Sequence, residues 1–95
     1  MLGGVTEYMR VAAAAATVGV PVAPHWHANL HAHLGAATSN GLTVEHFALE
    51  KDIYNFEVLL EPESRLAVAD GHVIVPDRPG IGIRFVPDLL ERFAA

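Results

Sequence analysis

The sequence predicts an α/β fold with parallel strands, and three observations carry that prediction. An alanine-rich stretch, Tyr8 to Val18, reads as a helix closed by Gly19. A short apolar run follows, Val20-Pro21-Val22-Ala23-Pro24, of the kind shown by a strand buried on both faces. A second helical stretch, Ala28 to Ser39, then leads into a second short run, Leu42-Thr43-Val44. Helix, strand, helix, strand is the rhythm of a parallel α/β architecture. A right-handed crossover makes the two runs parallel neighbours. His25 and Glu45 follow the two runs directly, so both leave the same edge of one sheet. That edge is where barrels and open α/β sheets place their chemistry.

Each element has its own warrant. Gly3-Gly4 is a flexible opening, Thr6 is expected to cap the first helix, and Glu7 suits its first turn. The alanines that follow let a helix lie close against a sheet. In the second helix Leu30, His33, Leu34 and Ala37 share one face. Asn40-Gly41 is expected to supply a left-handed stop. Beyond Glu45 the rhythm changes. Residues 46–61 have mixed periodicity and read as irregular with a short helical turn, and Pro62 interrupts them. Arg65 to Val68 and His72 to Val75 flank Asp70-Gly71, a strong signal for a two-residue hairpin turn. Residues 76–82 are a loop, 83–86 a short strand, and Pro87 opens a last helix over Asp88 to Phe93. The chain therefore divides into an α/β part, residues 1–52, and an antiparallel appendage, residues 53–95.

Composition narrows the function classes. The chain of 95 residues carries a formal net charge of −5 with no Lys/Arg cluster, which argues against nucleic acid as a partner. It has no cysteine, which excludes disulfides and thiolate metal sites. No apolar run approaches the ~20 residues of a membrane span. The start lacks the basic region of a secretory signal, so the expected location is the cytoplasm. The chain is 52% hydrophobic and only 18% charged. The alanine-rich helix accounts for part of this, and apolar surface meant to face other protein accounts for the rest. A homo-oligomer is expected.

Four of the six histidines lie in residues 25–33. His27 and His31 are four apart, but no Cys, Asp or Glu within the helix completes a metal site, and a solvated or interface face is the plainer reading. His33, beside Leu30 and Leu34, reads as a hydrogen-bonded core histidine. His25 differs, because it stands at a strand end after Pro24. An imidazole there can act as a general base near neutral pH. Glu45 alone reads equally as a carboxylate satisfied by backbone donors. Paired with His25 it becomes a candidate acid, donating a hydrogen bond to an oxygen that gains charge; that role requires burial.

These residues resemble a known family. Gly3-Gly4-Val5-Thr6, a helix, Pro21-Val22-Ala23-Pro24-His25, a second helix ending in Ala36-Ala37-Thr38, and Glu45 twenty residues after His25 form one pattern. It is similar to the last part of the barrel in the mandelate racemase and muconate lactonizing enzyme branch of the enolase superfamily. The run from Asp70 to Phe85 resembles the hairpin and glycine-containing loop that close members of this branch. The resemblance implies a C-terminal fragment of a (β/α)8 TIM barrel, with Val20 to Pro24 as the seventh strand and Leu42 to Val44 as the eighth, plus a C-terminal β-hairpin tail that packs toward a capping domain. It implies His25 as the catalytic base and Glu45 as the acid. It implies Mg²⁺ as cofactor, a hydroxy acid or sugar acid as substrate, and racemisation or dehydration after removal of the proton α to a carboxylate. The three metal carboxylates, the lysine base and the aspartate partner of the histidine, which would fall just before Gly3, have no counterpart here. The expectation is an enzyme fragment, inactive alone. The alternatives are an inert folded remnant or interaction module that self-associates, and a small histidine-rich metal-binding protein.

Overall fold

The computed structural model describes residues 3–50 and 56–93. It shows an α/β chain of helices and one two-stranded antiparallel sheet. The elements are α1 (Val5–Thr17), α2 (Ala28–Ala36), two 3-10 turns (Phe56–Leu59 and Pro62–Ser64), β1 (Ala67–Ala69), β2 (His72–Ile74) and α3 (Pro87–Phe93). The chain forms two compact units, Met1–His46 and Phe47–Ala95. The division expected from the sequence, between 52 and 53, falls outside the described residues. Among the described residues no helix is long and apolar enough to cross a membrane.

In the first unit α1 begins earlier than its residue pattern suggests. Gly4, at φ 97°, occupies the N-cap, and its carbonyl accepts the Tyr8 N–H at 3.0 Å. This backbone geometry suits glycine, so Thr6 falls inside the first turn and is not the cap. Only Tyr8 and Ala12 of α1 are buried; Ala13, Ala14 and Ala16 face outward. The expected close approach through alanines thus narrows to one residue. The C-terminus is as expected. Gly19 is left-handed at φ 70°, its N–H bonds to the Ala16 carbonyl at 3.1 Å, and the Val20 N–H bonds to the Ala15 carbonyl at 3.0 Å. These two bonds make a Schellman motif.

The two runs after α1 and α2 do meet in parallel, but through a single bridge, Val22 to Gly41, and not through extended strands. The Val22 N–H bonds to the Asn40 carbonyl and the Leu42 N–H to the Val22 carbonyl, each at 2.9 Å. Alternate residues donate along one edge of a parallel ladder. On one side of Val22 the donor of Val20 is already bonded to Ala15, and on the other Pro24 has no N–H. The ladder therefore stops at one rung.

Helix α2 ends at Ala36, short of Ser39, because the Thr38 hydroxyl bonds back to the carbonyls of Leu34 and Gly35 at 3.2 and 3.1 Å. Gly41 is not left-handed. Glycine is needed there for close approach, since a Cβ would lie 2.4 Å from the Gly35 carbonyl oxygen. Asn40 ties the turn down by donating to the carbonyls of Ala12 and Val20, at 3.0 and 2.9 Å. Tyr8, Ala12 and Leu34 form the core, with Val22 and Leu30 packed against them.

In the second unit Asp70 (φ 50°) and Gly71 (φ 75°) are both left-handed. That is the two-residue hairpin turn whose twist matches the flanking strands. Val68 pairs with Val73 and Ala67 with Ile74. The expected strand at 83–86 is reduced to one antiparallel bridge, Leu60 to Phe85, with the Glu61 N–H on the Arg84 carbonyl and the Val86 N–H on the Leu59 carbonyl, both at 2.9 Å. Leu60 is completely buried. Glu57, also buried, accepts the Leu66 N–H at 3.1 Å while its own carbonyl accepts the Arg65 Nε–H at 3.0 Å. Pro87 opens α3 as expected.

Candidate functional site

The Val22–Gly41 bridge brings the segments after it side by side, and His25 and Glu45 face each other. His25 Nε2 lies 3.5 Å from Glu45 Oε2. The sequence places both residues at one edge of parallel segments, and the structure brings them together there. His25 is open, with 80% of its side chain exposed, and Glu45 keeps 41%. The burial that a proton-donating carboxyl requires is therefore not supplied by the described residues alone.

Glu45 Oε2 also accepts the Trp26 backbone N–H at 2.8 Å. Trp26 and His27 are both left-handed, at φ 60° and 45°. For residues with a Cβ that conformation costs about 1–2 kcal/mol each, so surrounding bonds must hold it. One is the Glu45 carboxylate on the Trp26 N–H. Another comes from α2, where His31 Nδ1–H donates to the Trp26 carbonyl. The His27 carbonyl completes the turn by accepting the N–H groups of Leu30 and His31, each at 3.0 Å. The rings follow the turn: Trp26 stacks on His27 at 5.6 Å between centroids, and His25 meets Trp26 edge-on at 6.1 Å.

A cavity of about 610 Å³ opens beside the pair, lined by Tyr8, Val22, His25, Trp26, Leu30 and His31 among others. The Tyr8 hydroxyl is buried and makes no hydrogen bond among the described residues. The Tyr8 ring stacks on His31 at 6.3 Å.

His27 does not pair with His31 across a helix face, because it is the N-cap of α2 and stands outside the helix. His33 is half-buried. Among the described residues no three His, Asp or Glu side chains converge as a metal ion requires. The resemblance puts the Mg²⁺ carboxylates on preceding strands of the barrel. The sequence reading missed Trp26 and weighed His31 only as a partner of His27. Trp26 acts through its backbone, which no residue type announces. His31 carried a signal, a histidine one helical turn beyond His27, but its partner is the Trp26 carbonyl.

Comparison with known proteins identifies the family. Residues 1–89 match the family described as enolase C-terminal domain-like, and the chain belongs to that family, in the mandelate racemase and muconate lactonizing enzyme branch of the enolase superfamily. It is similar to the arabinonate dehydratase of Saccharolobus solfataricus, 30% identical over 98 residues that cover 96% of this chain and 24% of the relative. It is also 30% identical, over 81 residues, to the L-talarate/galactarate dehydratase of Salmonella typhimurium, covering 85% of this chain and 18% of that protein. The crystal structure of L-talarate dehydratase from Polaromonas sp. JS666, complexed with Mg and L-glucarate, superposes with a TM-score of 0.76 at 34% identity. That match covers 94% of this chain and 23% of the solved one. A mandelate racemase/muconate lactonizing enzyme structure from the same organism also gives 0.76 at 34% identity, over 94% of this chain and 22% of its own. This chain therefore spans about a quarter or less of the length of these relatives.

Proposed function

We propose that this chain is the C-terminal part of a (β/α)8 barrel enzyme acting on a sugar acid or hydroxy acid, a dehydratase or racemase. Residues 1–52 contribute the last two strand positions, and residues 53–95 a hairpin tail that packs toward a capping domain. His25 takes the proton α to the substrate carboxylate, and Glu45 donates a hydrogen bond to the carboxylate oxygen that gains charge. The observation that carries this reading is the 3.5 Å approach of His25 Nε2 to Glu45 Oε2 across a parallel bridge. The dehydratase relatives and the L-glucarate bound in the talarate dehydratase structure support the substrate class.

The roles follow from the two environments. One oxygen of Glu45 already holds the Trp26 N–H. A proton on the other oxygen, Oε1, leaves the carboxyl able to accept from Trp26 and donate to substrate together. His25 is free to turn because so little packs on it. At 3.5 Å the two groups contact each other directly, so a substrate carbon is admitted only when the imidazole swings aside. Strands supplied by the rest of the barrel would bury Glu45 and fix the ring. Mg²⁺ binds in the talarate dehydratase structure; its ligands in a completed enzyme would have to come from outside the described residues.

The test is exchange of the α-proton in deuterated water with a panel of sugar acids and Mg²⁺. Exchange is expected when this chain is combined with a second chain carrying the preceding barrel strands and the capping domain, and not with either chain alone. A combined sample that assembles but exchanges nothing across the panel refutes the enzyme reading.

The chain by itself is expected to self-associate. Val18 and Leu42 are 74% and 69% exposed, and Val5, Val11 and Val20 of the same unit are also exposed. Such apolar surface favours contact with another chain. Light scattering at moderate concentration should report a dimer or larger species. A monomer that unfolds cooperatively would show that this surface is tolerated in water.

A further inference from the structure

We propose that His31 is a positioning residue for the His25–Glu45 pair, acting through the Trp26 peptide. The inference rests on the proposed catalytic reading of that pair. Trp26 is held from both ends. Its N–H donates to Glu45 Oε2 at 2.8 Å, and its carbonyl accepts from His31 Nδ1–H. Between these bonds the backbone sits in a conformation that residues with a Cβ rarely adopt, at Trp26 and again at His27. Neither residue is a glycine, so local preference does not select the turn. The partners select it. Glu45 is itself one of the two residues being positioned, and His31 is a side-chain anchor outside the pair.

The anchor is well fixed. The His31 backbone N–H bonds to the His27 carbonyl at 3.0 Å, inside the first turn of α2, so its ring springs from the turn it braces. The ring stacks on Tyr8, a buried core residue of α1. The imidazole is therefore set by two helices while its Nδ1–H points at one carbonyl. Without that bond Trp26 can relax toward a right-handed or extended conformation. Its N–H then leaves Glu45, and the carboxylate loses the contact that holds it beside His25. A carbonyl oxygen only accepts hydrogen bonds, so Nδ1 must carry the proton. Neutral His31 is then the Nδ1–H tautomer, with Nε2 bare.

The experiment is solution NMR on the full chain, with no turnover involved. Long-range ¹H–¹⁵N correlation of the His31 ring at a pH where it is neutral should show a protonated Nδ1 and an unprotonated Nε2. Hydrogen exchange of the Trp26 amide should quicken by about tenfold in His31→Leu, the size expected for one lost hydrogen bond. In His31→Asn, whose amide nitrogen can stand where Nδ1 does, exchange should return to near the original rate. The Val22 amide, bonded to the Asn40 carbonyl, is the reference for an intact fold and should not change in either variant. An Nε2–H tautomer in the unmodified chain overturns the proposal. So does unchanged Trp26 exchange in a His31→Leu chain that keeps Val22 protection. If His31→Leu unfolds, the tautomer of the unmodified chain decides alone. A catalytic assay that fails while these signatures hold counts against the enzyme reading and leaves the positioning role standing.

Discussion

His25→Asn is expected to lower α-proton exchange by about 10²–10⁴-fold in an assembly completed by the missing barrel strands, the usual contribution of a general base. Asparagine keeps a polar group of similar reach but cannot take up a proton, so binding is retained while proton transfer is lost. The prediction depends on exposure. His25 has 80% of its side chain in solvent, and its replacement removes almost no packing. Thermal stability of the variant should match the original within error, and the loss should fall on kcat with KM little changed. Glu45→Gln behaves differently. The amide can still accept the Trp26 N–H and offer a donor toward substrate, so a smaller loss is expected. A His25→Asn assembly that exchanges at the original rate removes His25 from the chemistry and leaves the 3.5 Å approach as a structural contact.

The family was legible because these residues resemble its motifs, and the site edge because short-range rules produce it. Gly19 closes α1, Asp70-Gly71 makes a two-residue turn and Pro87 starts α3, each through a backbone preference written into the residue itself. The parallel relation of Val22 to Gly41 follows from crossover handedness, which needs no knowledge of neighbours. What was not legible depends on partners. Val20 to Pro24 has the composition of a strand, but its ladder fails because one donor is committed to a helix cap and another residue is proline. The Trp26–His27 turn has no glycine to announce it and exists through bonds to Glu45 and His31, 19 and 5 residues from Trp26. Gly41 looked like a helix stop by its place after Asn40, and its real reason, the crowding against Gly35, appears only once α2 has turned back.

That crowding predicts the largest stability effect of any single methyl group in the first unit. In Gly41→Ala the new Cβ would sit 2.4 Å from the Gly35 carbonyl oxygen and 3.1 Å from Thr38 Oγ1. The first of these is backbone, pinned by the end of α2, and cannot rotate away as a side-chain tip would. Relief requires moving the 38–42 turn, which carries the only rung joining the two parallel segments among the described residues. Overpacking of this kind costs about 1–3 kcal/mol, and more when backbone must yield. Gly71→Ala is the comparison. There the space is open, nothing lies within 4 Å, and the penalty is the left-handed backbone at φ 75°, about 1–2 kcal/mol. The two substitutions should also differ in kind. Gly71→Ala loosens a hairpin in the second unit and should leave exchange in a completed assembly unchanged. Gly41→Ala shifts the segment that carries Glu45, so stability and exchange should fall together. Denaturant titration of both chains, beside the exchange assay, separates these outcomes. Equal stability loss with exchange intact in both would show that the Val22–Gly41 rung does not set the spacing of His25 and Glu45.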